Sequence, residues 1–79
     1  MKIINLLDVN KQFGARVRFL RNKKKVSIQE FALQIEINPN YLSDLERGNR
    51  NPTLKVMSKI AKGFEMSLSE LLEGVSGEF

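Results

Sequence analysis

Apolar residues recur along this chain at helical spacing, and polar residues fill the positions between them. Phe13, Val17 and Leu20 stand at i, i+4 and i+7 with Arg16, Arg18 and Arg21 interleaved, which predicts a first helix from about Asp8 to Lys24 with that stripe turned inward. Ser27 then opens the run Ser-Ile-Gln-Glu. Its hydroxyl can take a free backbone N–H while Glu30 reaches back to the Ser27 N–H, a capping box, so a second helix starts here with Phe31, Ala32 and Ile35 inward. Asn38 is a good N-cap and Pro39 suits the first helical position, whose N–H needs no partner; a third helix runs from there to Gly48 and buries Leu42 and Leu45. Thr53 caps a fourth, with Leu54, Met57, Ile60, Ala61 and Phe64 inward, and Ser67 with Glu70 makes a second capping box for a fifth that Gly74 ends. Nothing alternates as a strand, no repeat appears and no linker divides the chain. The predicted fold class is all-α: five short helices around one core, residues 1–79 forming a single domain.

Only Glu36 and Ile37 lie between Ile35 and the cap Asn38, and so tight a connection forces a sharp angle between the second and third helices. That is a helix-turn-helix, whose second helix is free to enter a DNA major groove. On the third helix Asn40, Ser43, Asp44 and Arg47 fall at i, i+3, i+4 and i+7, a polar stripe opposite Leu42 and Leu45. Asn can bond adenine with two hydrogen bonds, Ser can donate or accept, and Asp can accept from cytosine N4. The same stripe would also serve as the solvent face of a bundle helix. Past Gly48, Asn49 and Arg50 can reach phosphate or base edges, with Asn51 beside them. Tyr41 either meets a phosphate with its hydroxyl or completes the core, and the run Lys23, Lys24, Lys25 is either a phosphate contact or a solvated face.

Charge sharpens this picture. Residues 1–25 carry eight basic side chains against Asp8 alone, a net +7, whereas residues 63–79 carry four glutamates and no basic residue, a net −4. A basic end favours an anionic partner, and the acidic end must lie away from it. Other classes fall away. With no cysteine and no histidine in 79 residues there is no disulfide scaffold, Cys/His zinc site, thiol nucleophile or imidazole base. Asp44 and Glu46 lie on different sides of a helix with no third group converging, and no glycine-rich phosphate loop exists, so neither catalysis nor a cofactor, metal or small-molecule ligand is expected. No apolar run reaches the roughly 18 residues of a membrane span, which predicts an uncleaved cytoplasmic protein, at the nucleoid when bound to DNA.

Between Val26 and Leu72, the segments S-I-Q-E-F-A, Y-L-S-D-L-E-R-G-N-R-N-P-T-L, I-A-K and S-L-S-E-L-L resemble the Cro/repressor-like (XRE-type) helix-turn-helix family, and L-E-R-G-N-R-N-P is its most specific part. The resemblance implies a lambda-repressor-like five-helix fold with its helix-turn-helix at about 27–47. It puts Pro39, Asn40, Ser43 and Asp44 at base-reading positions, joined by Arg50. Ser27, Gln29, Tyr41, Arg47, Asn49, Asn51 and Lys24 are the corresponding phosphate candidates. Arg21 and Glu46 match the family's pair that holds the reading helix to the first helix. The short chain also resembles the controller proteins of restriction-modification systems.

Leu68, Leu71, Leu72, Val75 and Phe79 present more apolar surface than one short terminal helix can bury, rimmed by Glu70, Glu73 and Glu78. Residues 64–79 are therefore the expected dimerisation region, with the apolar segment Ile3, Ile4, Leu6 and Leu7 as a second contributor. The resulting expectation is a homodimeric transcriptional regulator on an inverted-repeat operator in double-stranded DNA. RNA polymerase is a further candidate partner, through Glu30 and Glu36. An antitoxin-type autoregulator or a protein-interaction module fits the same fold. Three departures from the family stand out. Ile28 replaces its usual glutamine, which moves that contact to Gln29. Lys25, Glu36 and Glu65 occupy helix ends where glycine is favoured, with some loss of stability. Phe19 stands at a commonly polar position, as though packed under the N-terminal segment.

Overall fold

The computed structural model describes the backbone of residues 6–75 and the side chains of residues 9–75. Five helices follow in order: α1 (Leu6–Lys24), α2 (Ile28–Ile35), α3 (Pro39–Glu46), α4 (Leu54–Gly63) and α5 (Leu68–Leu71). The last four begin at side-chain caps. Ser27 Oγ accepts the Glu30 N–H at 3.0 Å while the Ser27 N–H donates to the Glu30 carboxylate at 2.8 Å, and Ser67 with Glu70 repeats both bonds. Asn38 Oδ1 accepts from the N–H groups of Asn40 and Tyr41, and Thr53 Oγ1 from that of Val56. Caps and apolar periodicity together account for the helix starts, except that α1 begins two residues before the predicted Asp8, and α5 ends at Leu71, short of the predicted stop at Gly74.

Helix ends explain the family departures. Lys25, Glu36 and Glu65 all have positive φ, from 58° to 63°, a left-handed conformation that costs a residue with a Cβ about 1 kcal/mol. Each reversal is closed by an N–H one residue further on: Ile37 to the Ala32 carbonyl and Met66 to the Ala61 carbonyl at 3.0 Å, Val26 to that of Arg21 at 3.4 Å. The core into which these turns feed comprises Phe13, Val17, Leu20, Phe31, Ala32, Ile35, Leu42, Leu45, Ile60, Ala61 and Leu71. Phe31 stacks on Phe64 with ring centroids 4.3 Å apart. α1 packs on α3, α2 on α3 and α4, and α4 on α5. At the α1–α3 crossing the backbones nearly touch, because a Cβ on Gly14 would lie 2.6 Å from the Glu46 carbonyl oxygen and against that of Leu45. Only glycine allows so close an approach.

Two apolar expectations need correction. Leu54 is 66% exposed: as the first residue of α4 it overhangs the core, and Val56 packs there instead. Phe19 is 58% exposed, and the N-terminal segment expected to cover it lies outside the described residues. Leu71 is fully buried in its own chain's core and has no surface to offer a partner, which leaves half-buried Leu68, Leu72 and Val75 of the expected interface. Phe79, Ile3, Ile4 and the side chains of Leu6 and Leu7 lie outside the described residues. Among the described residues no helix is long and apolar enough to cross a membrane.

Candidate nucleic-acid interface

The candidate reading helix is α3, and its inner face decides how firmly it is held. Leu42 and Leu45 are buried, and beside them the Glu46 carboxylate is 1% exposed. Arg21 on α1 meets that carboxylate with two bonds, Nε to Oε2 at 2.7 Å and Nη2 to Oε1 at 3.0 Å, while its Nη1 donates to the Val26 carbonyl at 2.8 Å. Arg18 Nε adds a longer contact to Glu46 at 3.5 Å. A charge taken out of water needs such saturation of its lone pairs. The hydrogen bond to this carboxylate in turn raises the pKa of the Arg21 guanidinium, which stays charged. α3 is thereby locked against α1 along its length, by apolar contact, by backbone approach at Gly14 and by this forked ion pair.

The opposite face is open. Pro39, Asn40 and Arg47 are exposed, Ser43 and Asp44 half-buried, so the stripe read from the spacing faces outward as a unit. At its end Gly48 adopts φ 82°, and its N–H and that of Asn49 turn back to the carbonyls of Leu45 and Asp44, which brings Asn49, Arg50 and Asn51 around beside α3, all exposed. Arg50 folds over the half-buried Tyr41, its guanidinium carbon 5.1 Å from the ring centroid. Asp44 bridges two arginines. Its Oδ1 accepts from Arg47 Nη2 at 2.6 Å and its Oδ2 from Arg50 Nη2 at 3.4 Å.

At the start of α2, Ser27 and Gln29 are exposed, although the Ser27 oxygen is occupied by its own cap. Glu30 belongs to that cap too: the Ser27 N–H, then its hydroxyl, hold the carboxyl below the usual glutamate range. Lys24 is exposed and already has a partner within the chain. Its ammonium donates to the Gly63 carbonyl at 3.0 Å, closing the C-terminal end of α4. Arg16 does the same for α5, donating to the Leu71 and Glu70 carbonyls at 3.1 and 2.9 Å. Part of the basic charge of α1 therefore neutralises the carbonyl ends of neighbouring helices, a role no spacing rule reveals because the partners lie 39 to 55 residues away. The Asp44–Arg47 contact joins an i,i+3 pair, whereas the seat of Arg50 depends on the turn at Gly48.

A model of the helix-turn-helix family HTH_3 matches residues 17–71. The control protein C.MunI of a Mycoplasma species is 36% identical over 72 residues, which make up 90% of this chain and 97% of that protein. The control protein C.BamHI of Bacillus amyloliquefaciens is 36% identical over 62 residues, 77% of this chain and 76% of its own. Among solved structures, the restriction-modification controller protein C.AhdI from Aeromonas hydrophila superposes with a TM-score of 0.75 at 32% identity, covering 78% of this chain and 90% of that one.

Proposed function

Since the chain belongs to the HTH_3 helix-turn-helix family of transcriptional regulators, we propose that it binds an inverted-repeat operator in double-stranded DNA as a homodimer and controls a restriction-modification system. The observation that carries the DNA reading is the two-sidedness of α3: Leu42, Leu45 and Glu46 are buried and fixed to α1, while Asn40, Ser43 and Arg47 project together from a helix free on that side. A rigid helix with a polar outer stripe can lie in a major groove and present side chains to base edges without losing much order on binding. Likeness to proteins named as controllers supports the narrower role, and the half-buried Leu68, Leu72 and Val75 support a subunit contact at the acidic end. Two such subunits related by a two-fold axis would set their reading helices roughly 34 Å apart, one turn of DNA.

Selection of bound duplexes from a random pool tests this directly. An enriched inverted repeat with half-site centres about one helical turn apart is expected. Affinity for it should fall as salt rises, log K by about 0.9 per neutralised phosphate, and Asn40→Ala should cost about 1–3 kcal/mol with relaxed preference at one position. A native chain that sediments as a monomer and binds single half-sites as well as paired ones removes the dimer. Enrichment of no sequence removes the regulator.

A further inference from the structure

Asp44 stands on the reading face as a carboxylate, yet both of its oxygens are turned to arginines of its own chain. A cytosine amino group would have to share an oxygen that already accepts from a guanidinium, and a bare carboxylate would repel the nearby phosphates. Arg50, by contrast, is half-exposed and lies beyond the end of α3, where a long side chain ordinarily samples many rotamers. Here it is held from two sides, by the Asp44 carboxylate at Nη2 and by the Tyr41 ring beneath its guanidinium, within the roughly 6 Å at which a cation is attracted to an aromatic face. Guanidinium carries five N–H donors in a planar fork, so one bond to Asp44 leaves an edge for the paired acceptors O6 and N7 of a guanine.

We propose that Asp44 is a positioning residue and makes no base contact: together with the Tyr41 ring it holds Arg50 in the orientation that reads a guanine. The inference rests on the reading of α3 as a groove-binding helix. It makes the cluster a specificity element whose carboxylate contributes only through the arginine it aims, and it assigns Tyr41 a use of its ring rather than of its hydroxyl.

The test uses the full chain, the duplex that the native protein enriches from a random pool, and the same duplex with each guanine in turn exchanged for adenine or for 7-deazaguanine, which lacks N7. Native protein should lose about tenfold in affinity at one guanine of the half-site on either exchange. Arg50→Ala should abolish that discrimination, and Asp44→Ala and Asp44→Asn should weaken it severalfold. In the double variant Asp44→Ala/Arg50→Ala, the aspartate change should add nothing further. Tyr41→Phe should keep the discrimination and Tyr41→Ala should reduce it. Thermal melts of every variant confirm the fold.

A loss from Asp44→Ala that persists undiminished beside Arg50→Ala, or that centres on a cytosine, overturns the positioning role in favour of direct contact. So does a loss equal for all duplexes, which would mark a merely structural residue. A native protein that enriches no sequence overturns the DNA reading and this inference together, whereas the preceding outcomes leave that reading standing.

Discussion

Asp44 and Glu46 lie two residues apart on one helix, about 200° around its axis, and each accepts from two arginines. Their surroundings differ. Glu46 is 1% exposed with Arg21 at 12%, whereas Asp44 is 31% exposed with Arg47 and Arg50 at about half. The same pairing chemistry therefore has two meanings. In the buried site water cannot replace a lost partner, so the fork acts as a fixed joint between α1 and α3. In the exposed site water, salt ions and a phosphate or base compete on nearly equal terms, so the contacts order side chains without anchoring the fold. One carboxylate fixes where α3 lies; the other orders the arginines that stand on its open face.

The comparison is most easily broken at Glu46. Glu46→Gln leaves the Arg21 charge shielded from solvent and without its counter-charge, and should lower unfolding free energy by about 3–5 kcal/mol. Equilibrium denaturant unfolding measures it, as a shifted midpoint with an unchanged slope. An unshifted midpoint would mean that the buried pair contributes no more than a surface one. Because the joint orients α3 as a whole, the variant should also bind all duplexes more weakly where it is still folded.

At the exposed site the expected effect is smaller. Asp44→Asn should change unfolding free energy by less than about 1 kcal/mol, and the change should shrink further as salt rises past physiological strength. Comparing the two variants by the same unfolding experiment at low and high salt sharpens the contrast, since the buried pair should respond little to salt. A salt-insensitive loss at Asp44 of the size seen at Glu46 would show that exposure is not what separates them.

How much of this was legible beforehand depended on distance along the chain. Helix starts were readable because a cap is a local device: Ser27 with Glu30, Asn38 with Pro39, Thr53, and Ser67 with Glu70 each act within three residues. The outward stripe of α3 followed from helical period alone. Leu54 failed because period tells which face a residue is on and not whether a neighbour reaches that end of the helix. The carbonyl contacts of Lys24 and Arg16 were out of reach for the converse reason, since those carbonyls belong to helices far away in sequence. The Arg21–Glu46 pair was legible only through family resemblance, as 25 residues separate its members. Positive φ at Lys25, Glu36 and Glu65 came the same way: local composition gives lysine and glutamate no tendency toward it.

A third class of carboxylate extends the comparison to its weakest case. Glu30 and Glu70 are exposed, and among the described residues their carboxylates pair with no arginine; each is held by the backbone N–H and then the hydroxyl of its capping serine, which lowers its pKa in the folded protein. A group with a depressed folded pKa stabilises the fold above its unfolded value, about 4.3 for glutamate, and that contribution is lost as pH falls through the folded pKa. The melting temperature should therefore decline below about pH 4.3 for this reason among others. Gln at the same position completes a capping box without titrating. Glu30→Gln/Glu70→Gln should thus melt below the native chain at neutral pH, where it lacks the contribution of the two charges, and converge with it in acid through a shallower decline, measured by circular dichroism melts from pH 3 to 7. An identical acid decline in the two proteins would mean that the serine caps do not discriminate between the charged and neutral carboxyl.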